Sequence, residues 1–159
     1  MGRLAPRNSG TCLLFDGVND KVVVSHSAEQ LVTGGFTLSA WINPRSAGET
    51  GGRIFDKSTA TDGSDGFYLR TGTSNDTIGI NVNNGTTKFA ATGSVPFNVW
   101  THVLVTVSSG QLANIYVNGV LSGSADQDLV QELSTITTTN DLTIGNRSGA
   151  TDRTFDGYI

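Results

Sequence analysis

The chain has 159 residues, a formal net charge of −4 and only 15% charged residues. That is well below the roughly 25% of an ordinary soluble domain, and it excludes coiled coils, long helices and basic nucleic-acid binders. With 36% hydrophobic residues the chain can fill a core, which excludes disorder and leaves one β-rich domain dressed in Thr, Ser, Asn and Gly.

Residues 1–11 read as an N-terminal extension without the apolar stretch of a signal peptide. Cys12 is the single cysteine, and its neighbours Leu13, Leu14 and Phe15 predict a buried, inert thiol. No apolar run approaches the roughly 20 residues of a transmembrane helix. Strands are expected at 12–15 and 20–25, split by Asp16-Gly17-Val18-Asn19. Ala28–Leu31 predicts a single helical turn capped by Ser27. In the next run, Phe36, Leu38, Ala40 and Ile42 share one face, and Thr37, Ser39, Trp41 and Asn43 share the other. That period of two marks a strand over a core, ended by Pro44. Further strands are read at 53–57, 66–71, 77–82, 86–91, 100–108, 112–117, 120–123, 141–146 and 154–159. Asn84-Gly85 and Asn118-Gly119 predict type I′ hairpins, because both central residues of that turn need positive φ. Ser109-Gly110 marks another turn, and 128–133 reads as helix or polar loop. Many short strands with tight turns predict an all-β antiparallel sandwich or barrel with little helix.

The motifs occur in a telling order. Leu14-Phe-Asp-Gly-Val-Asn-Asp-Lys-Val-Val-Val24 comes first, then Phe36-Thr-Leu-Ser-Ala-Trp-Ile-Asn-Pro44, Ile54-Phe-Asp-Lys-Ser58 and Gly66-Phe-Tyr-Leu-Arg70. Trp100-Thr-His-Val-Leu-Val-Thr-Val107, Ile115-Tyr-Val-Asn-Gly-Val-Leu121, Leu142-Thr-Ile-Gly-Asn146 and Phe155-Asp-Gly-Tyr-Ile159 follow. The set, spanning residues 12–159, resembles the laminin-G-like (pentraxin-like) jelly roll of the concanavalin-A-like lectin/glucanase superfamily. The resemblance implies a two-sheet jelly roll. Relatives continue past the last motif with Asp-Glu and a hydrophobic strand. The resemblance therefore implies a closing strand cut short at Ile159, or one supplied by another chain.

Glucanases of that superfamily carry Glu-x-Asp-x-x-Glu, because one carboxyl protonates the leaving oxygen while the other attacks or activates water. The glutamates here are Glu29, Glu49 and Glu132, none in that motif. Asp126, Asp128 and Glu132 read as a solvated acidic loop. His26 and His102 stand without a nucleophile elbow or a Cys/His zinc cluster, and no phosphate loop is present. The expectation is a domain that is not an enzyme.

Two kinds of binding site are candidates. Oxygen-rich turns suit calcium. Asp16, Asn19 and Asp20 in the first turn and Asp156 in the last motif are its candidate ligands, since the first and last strands of a jelly roll lie close. The resemblance implies a structural calcium in that region of relatives, although the same residue types also serve as plain turn formers. Asp62-Gly-Ser-Asp-Gly66 is a second calcium candidate. For a glycan, Tyr68, Arg70, Asn81, Asn83, His102 and Tyr116 offer rings, amides and a guanidinium on strands, while Trp41 and Trp100 are expected in the core. The reading is a non-catalytic, lectin-like recognition or surface-display module that binds a glycan or a protein surface. Its expected place is extracellular or on a particle surface, without its own signal peptide, nucleic acid or membrane insertion. The alternative is a structural virion subunit, a bacteriophage capsid-decoration, fibre or tail protein that contacts its own copies or capsid subunits.

Overall fold

The computed structural model describes residues 11–59, 65–72, 76–84, 88–108, 112–126, 136 and 138–159. Among them are twelve strands. They are β1 (Leu14–Asp16), β2 (Val22–Val24), β3 (Phe36–Pro44), β4 (Arg53–Ser58), β5 (Asp65–Thr71) and β6 (Thr77–Asn84). The second half contributes β7 (Lys88–Ser94), β8 (Thr101–Val107), β9 (Leu112–Val117), β10 (Val120–Asp126), β11 (Leu142–Ile144) and β12 (Asp156–Tyr158). All pairings are antiparallel, in two six-stranded sheets ordered β1-β12-β3-β8-β9-β10 and β2-β11-β4-β5-β6-β7. This is the expected jelly-roll sandwich. The closing strand β12 lies between β1 and β3 and pairs with both.

Alternation explains how the sheets meet. Ile42 on β3, Val103 and Val105 on β8 and Ile115 on β9 face Leu69 on β5 and Ile78 and Ile80 on β6, all at 0% exposure. Phe15 and Phe155 close one end of this core, with ring centroids 6.3 Å apart and nearly perpendicular. Asn118 and Gly119 join β9 to β10 with φ of 50° and 81°, as a type I′ turn requires. The strands flanking Asn84-Gly85 pair as a hairpin, but Asn83 stands opposite Lys88 and not opposite Thr86, so the register does not fit a two-residue turn at Asn84-Gly85; residues 85–87 lie outside the described residues. The predicted turn at 109–110 and the segment 128–133 also lie outside them.

Several expectations are corrected. Cys12 is exposed. It precedes the edge strand β1, where Phe15 turns inward and Leu13 and Leu14 stay half exposed. Trp41 and Trp100 are 59% and 43% exposed. Trp41 alternates with the inward Ile42, so its ring stands on the outer face of the first sheet, beside the His102 ring. The 3₁₀ turn Ala28–Gln30 begins after Ser27, whose side chain makes no cap bond. As expected, β3 ends at Pro44, which stands opposite Gly157.

Lys57 was not singled out by the sequence, yet its side chain is 1% exposed. Its Nζ donates to the Asn140 carbonyl (2.6 Å) and to Gln30 Oε1 (3.1 Å), and lies 3.1 Å from His26 Nδ1. These acceptors offset the cost of burying an ammonium, and burial still pushes its pKa below the usual lysine value.

Candidate functional site

The second sheet carries the site. Phe67 and Leu69 point into the core, so Tyr68 and Arg70 between and beyond them point outward. On β4 the register shifts between Arg53 and Phe55. This bulge turns both Ile54 and Phe55 toward the core. It thereby leaves Arg53 and Asp56, three positions apart, on the same outer face. Arg53 Nε lies 3.0 Å from Asp56 Oδ2. Neither atom has an aligned hydrogen-bond partner, so the contact is ionic rather than a directed hydrogen bond. The Arg53 guanidinium also covers the Tyr68 ring, 3.5 Å from its centroid, a cation–π contact.

Two loops complete the wall. The Arg53 amide donates to the Arg153 carbonyl (2.8 Å), and the Glu49 amide to the Thr154 carbonyl (3.0 Å). The fully buried Asn146 accepts from the amides of Arg147 (2.7 Å) and Arg153 (3.3 Å) and donates to Thr154 Oγ1 (2.8 Å). These bonds seat Arg153 over β4. Thr50 sits in the other loop with φ of 50°, a left-handed backbone that a β-branched residue rarely adopts. A side chain at Gly51 would lie 2.9 Å from Arg70 Nη1, so glycine there leaves the guanidinium its place.

The result is a pocket of about 230 Å³ lined by Thr50, Arg53, Tyr68, Arg70 and Arg153. Arg70 Nη1 donates to the Thr71 carbonyl (3.3 Å) and Arg153 Nη1 to the Asp152 carbonyl (3.3 Å). Burial lowers the Arg53 pKa, opposed by the charge of Asp56. Burial raises that of Asp56, opposed by its bonds to Ser58 and by Arg53. Among the described residues no carboxylate lines the pocket, and none there forms the paired acids of glycoside hydrolysis.

The six predicted ligand residues are divided between the two sheets. Tyr68 and Arg70 line the pocket, and Asn81 and Asn83 lie on β6, with Asn81 opposite Tyr68 and Asn83 opposite Gly66. His102 and Tyr116 lie on the outer face of the first sheet. There His102 Nε2 is 2.8 Å from Ser39 Oγ, and Trp41 and Leu121 are exposed on the same face. These two cannot join the pocket.

The calcium candidates do converge in part. Asp16 stands opposite Asp156 across β1 and β12. Both oxygens of Asp156, and one each of Asp16 and Asp20, however, already hold protein donors. Asp156 Oδ1 receives Arg45 Nε (2.8 Å), and its Oδ2 receives Ser46 Oγ (2.7 Å). Asp20 Oδ2 accepts from the Asp16 amide (3.0 Å), and Asp16 Oδ1 accepts from the Val18 amide (2.9 Å). Asn19 is exposed in the same turn. The arrangement does not fit a calcium ion, and no group of three His, Cys, Asp or Glu able to hold a metal occurs among the described residues. Positions 62–64 of the second candidate, together with Asp128 and Glu132, lie outside the described residues.

Comparison with known proteins agrees with the architecture. Residues 16–159 match the Laminin_G_3 family, described as the concanavalin A-like lectin/glucanases superfamily, and the chain belongs to it. Among curated proteins no sequence matches. Domains LG4-5 of the mouse laminin alpha1 chain share 14% identity over 91% of this chain, with a TM-score of 0.66. This chain spans 38% of that laminin chain. The CBM40 of the Ruminococcus gnavus IT-sialidase, solved bound to alpha2,3 sialyllactose, shares 18% identity over 91% of this chain and 88% of its own, with a TM-score of 0.61. The botulinum neurotoxin serotype D ligand-binding domain, solved with N-acetylneuraminic acid, shares 12% identity over 91% of this chain and 37% of its own, with a TM-score of 0.64. At these identities the likeness establishes the fold.

Proposed function

We propose that this domain is a non-catalytic, lectin-like recognition module that binds glycan on the outer face of its second sheet. The observation that carries the reading is the pocket of Thr50, Arg53, Tyr68, Arg70 and Arg153. It joins a ring, a hydroxyl and guanidinium forks on a rigid sheet, the mixture by which polar ligands are oriented. No acid pair faces it, which supports binding without hydrolysis. The sugar ligands of the CBM40 and toxin domains support a glycan ligand on the same fold. Such a module works where glycans are displayed, on a cell or particle surface. A broad glycan array probed with the purified domain, with and without calcium, tests the reading. Binding that Tyr68→Ala abolishes supports it, and a blank at saturating protein overturns it.

The exposed Trp41, Val120 and Leu121 on the first sheet favour a second reading, contact with a protein surface, in an assembly of its own copies or of virion subunits. Sedimentation across a wide concentration range tests self-contact. A monomer throughout counts against assembly from copies of this chain.

A further inference from the structure

We infer that the pocket grips the carboxylate of an acidic sugar residue at the end of a glycan, an inference that rests on the glycan reading above. The first argument is charge. Arg53, Arg70 and Arg153 converge in a chain whose formal net charge is −4, and no carboxylate lines the pocket. Asp56, the partner of Arg53, is also engaged by the amide and hydroxyl of Ser58 (3.0 and 2.7 Å). Three guanidiniums against one occupied carboxylate leave a positive cavity that attracts an anion.

The second argument is construction. Arg53 is 7% exposed and is fixed between Asp56 and the Tyr68 ring. Its Nε is turned toward Asp56 Oδ2, without an aligned hydrogen bond. Burial of a guanidinium is expensive, and the ion pair and ring that offset it also fix the fork in place. Arg70 and Arg153 each make one long bond to a carbonyl, which leaves fork donors for a ligand. Guanidinium forks match the two coplanar oxygens of a carboxylate. Because Arg53 is held in advance by Asp56 and the Tyr68 ring, little ordering of it is required on binding.

The third argument is size. At about 230 Å³ the pocket is smaller than the roughly 300–1,000 Å³ of most small-molecule sites. It takes one sugar residue, and Thr50 and Tyr68 supply hydroxyls for its ring substituents. A single-residue pocket selects the end of a chain over its middle. Nonulosonic acids and uronic acids share this chemistry.

The test is calorimetry with methyl glycosides of N-acetylneuraminic acid, glucuronic acid and glucose, a polyuronate with internal acids, and sodium sulfate. The inference expects at least one acidic glycoside to bind ten-fold or more tightly than the glucoside, with affinity falling as salt rises. It expects Arg70→Gln to reduce that affinity at least ten-fold while the melting temperature holds. Should Arg70→Gln fail to fold, Arg153→Gln, on a partly exposed loop residue, carries the same expectation. Glucoside binding that matches the acids and ignores both arginine variants overturns the acid inference and leaves the glycan reading standing. Sulfate binding as tight as the acidic glycosides also overturns it, as does a polyuronate that binds as well per acid. If no glycoside binds and the glycan array is blank, both readings fall.

Discussion

Asp56 tests whether the buried charges on β4 are a unit. Its side chain is 0% exposed, accepts from the Ser58 amide and the Ser58 hydroxyl, and stands in ionic contact with the Arg53 guanidinium. Asp56→Ala leaves both donors without their acceptor and the guanidinium without its counter-charge. Stranding the partner of a buried ion pair costs about 3–5 kcal/mol, and the loss falls in that range because Arg53 keeps the Tyr68 ring. Asp56→Asn behaves differently. It keeps an oxygen for Ser58 and removes the charge that burial disfavours, so a loss of about 1–2 kcal/mol is expected. The pair also predicts a pH dependence. The folded-state pKa of Asp56 is raised above its ordinary value of 3.8, mainly by burial. The native state therefore binds more protons than the unfolded state between those two values. The contribution of Asp56 to stability is full below 3.8 and declines as pH rises through the raised folded value. Urea denaturation of wild type and both variants, at intervals from pH 4 to 7, reads these differences. The stability of wild type relative to Asp56→Asn is expected to fall over that range. A loss below 1 kcal/mol for Asp56→Ala, or a wild-type-to-Asn difference that rises with pH, refutes the reasoning.

Gly145 has φ of 85°, and a Cβ there would sit 1.9 Å from the Phe15 ring. Gly145→Ala is therefore expected to destabilise by about 3 kcal/mol through overpacking and backbone strain, read as a lower urea midpoint. Trp41→Ala removes an exposed ring that packs on His102 at 5.3 Å between centroids. It is expected to change stability by less than about 1 kcal/mol, and a larger loss in the same assay would mean the ring is buried after all. Because protein donors hold both oxygens of Asp156 and one each of Asp16 and Asp20, EDTA is expected to leave the melting temperature unchanged. A fall on chelation, reversed by calcium, would reveal a native-state cation site.

Strand placement was legible because one-sided sheets write a period of two into the chain, as in Phe36–Ile42. The two tryptophans were misjudged by size. Alternation alone assigned Trp41 to the face opposite Ile42, and the structure follows alternation. The site was half legible. Tyr68 and Arg70 are neighbours on one strand, but Arg53 and Arg153 lie a hundred positions apart and meet through the backbone bond between Arg53 N and the Arg153 carbonyl. One local sign was available. In Arg53-Ile-Phe-Asp56 two adjacent apolar residues stand between opposite charges, which breaks strict alternation and marks the bulge. His102 and Tyr116 show the remaining limit, since alternation says that a side chain points outward but not from which sheet.

The low charge content bears on how a site is built on such a scaffold. A surface of Thr, Ser, Asn and Gly satisfies water without many ionised groups, so the chain holds only 10 Lys and Arg. Three of these cations meet in one pocket of about 230 Å³. On a heavily charged surface, neighbouring carboxylates would screen or pair such a group, and its field would be local and weak. Here Asp56 pairs with Arg53 and fixes its orientation, while no acid lines the pocket among the described residues. Scarcity elsewhere is thus what lets three guanidiniums act together, and a sheet whose other face packs the core carries two of them, Arg53 and Arg70, with Arg53 already fixed before binding.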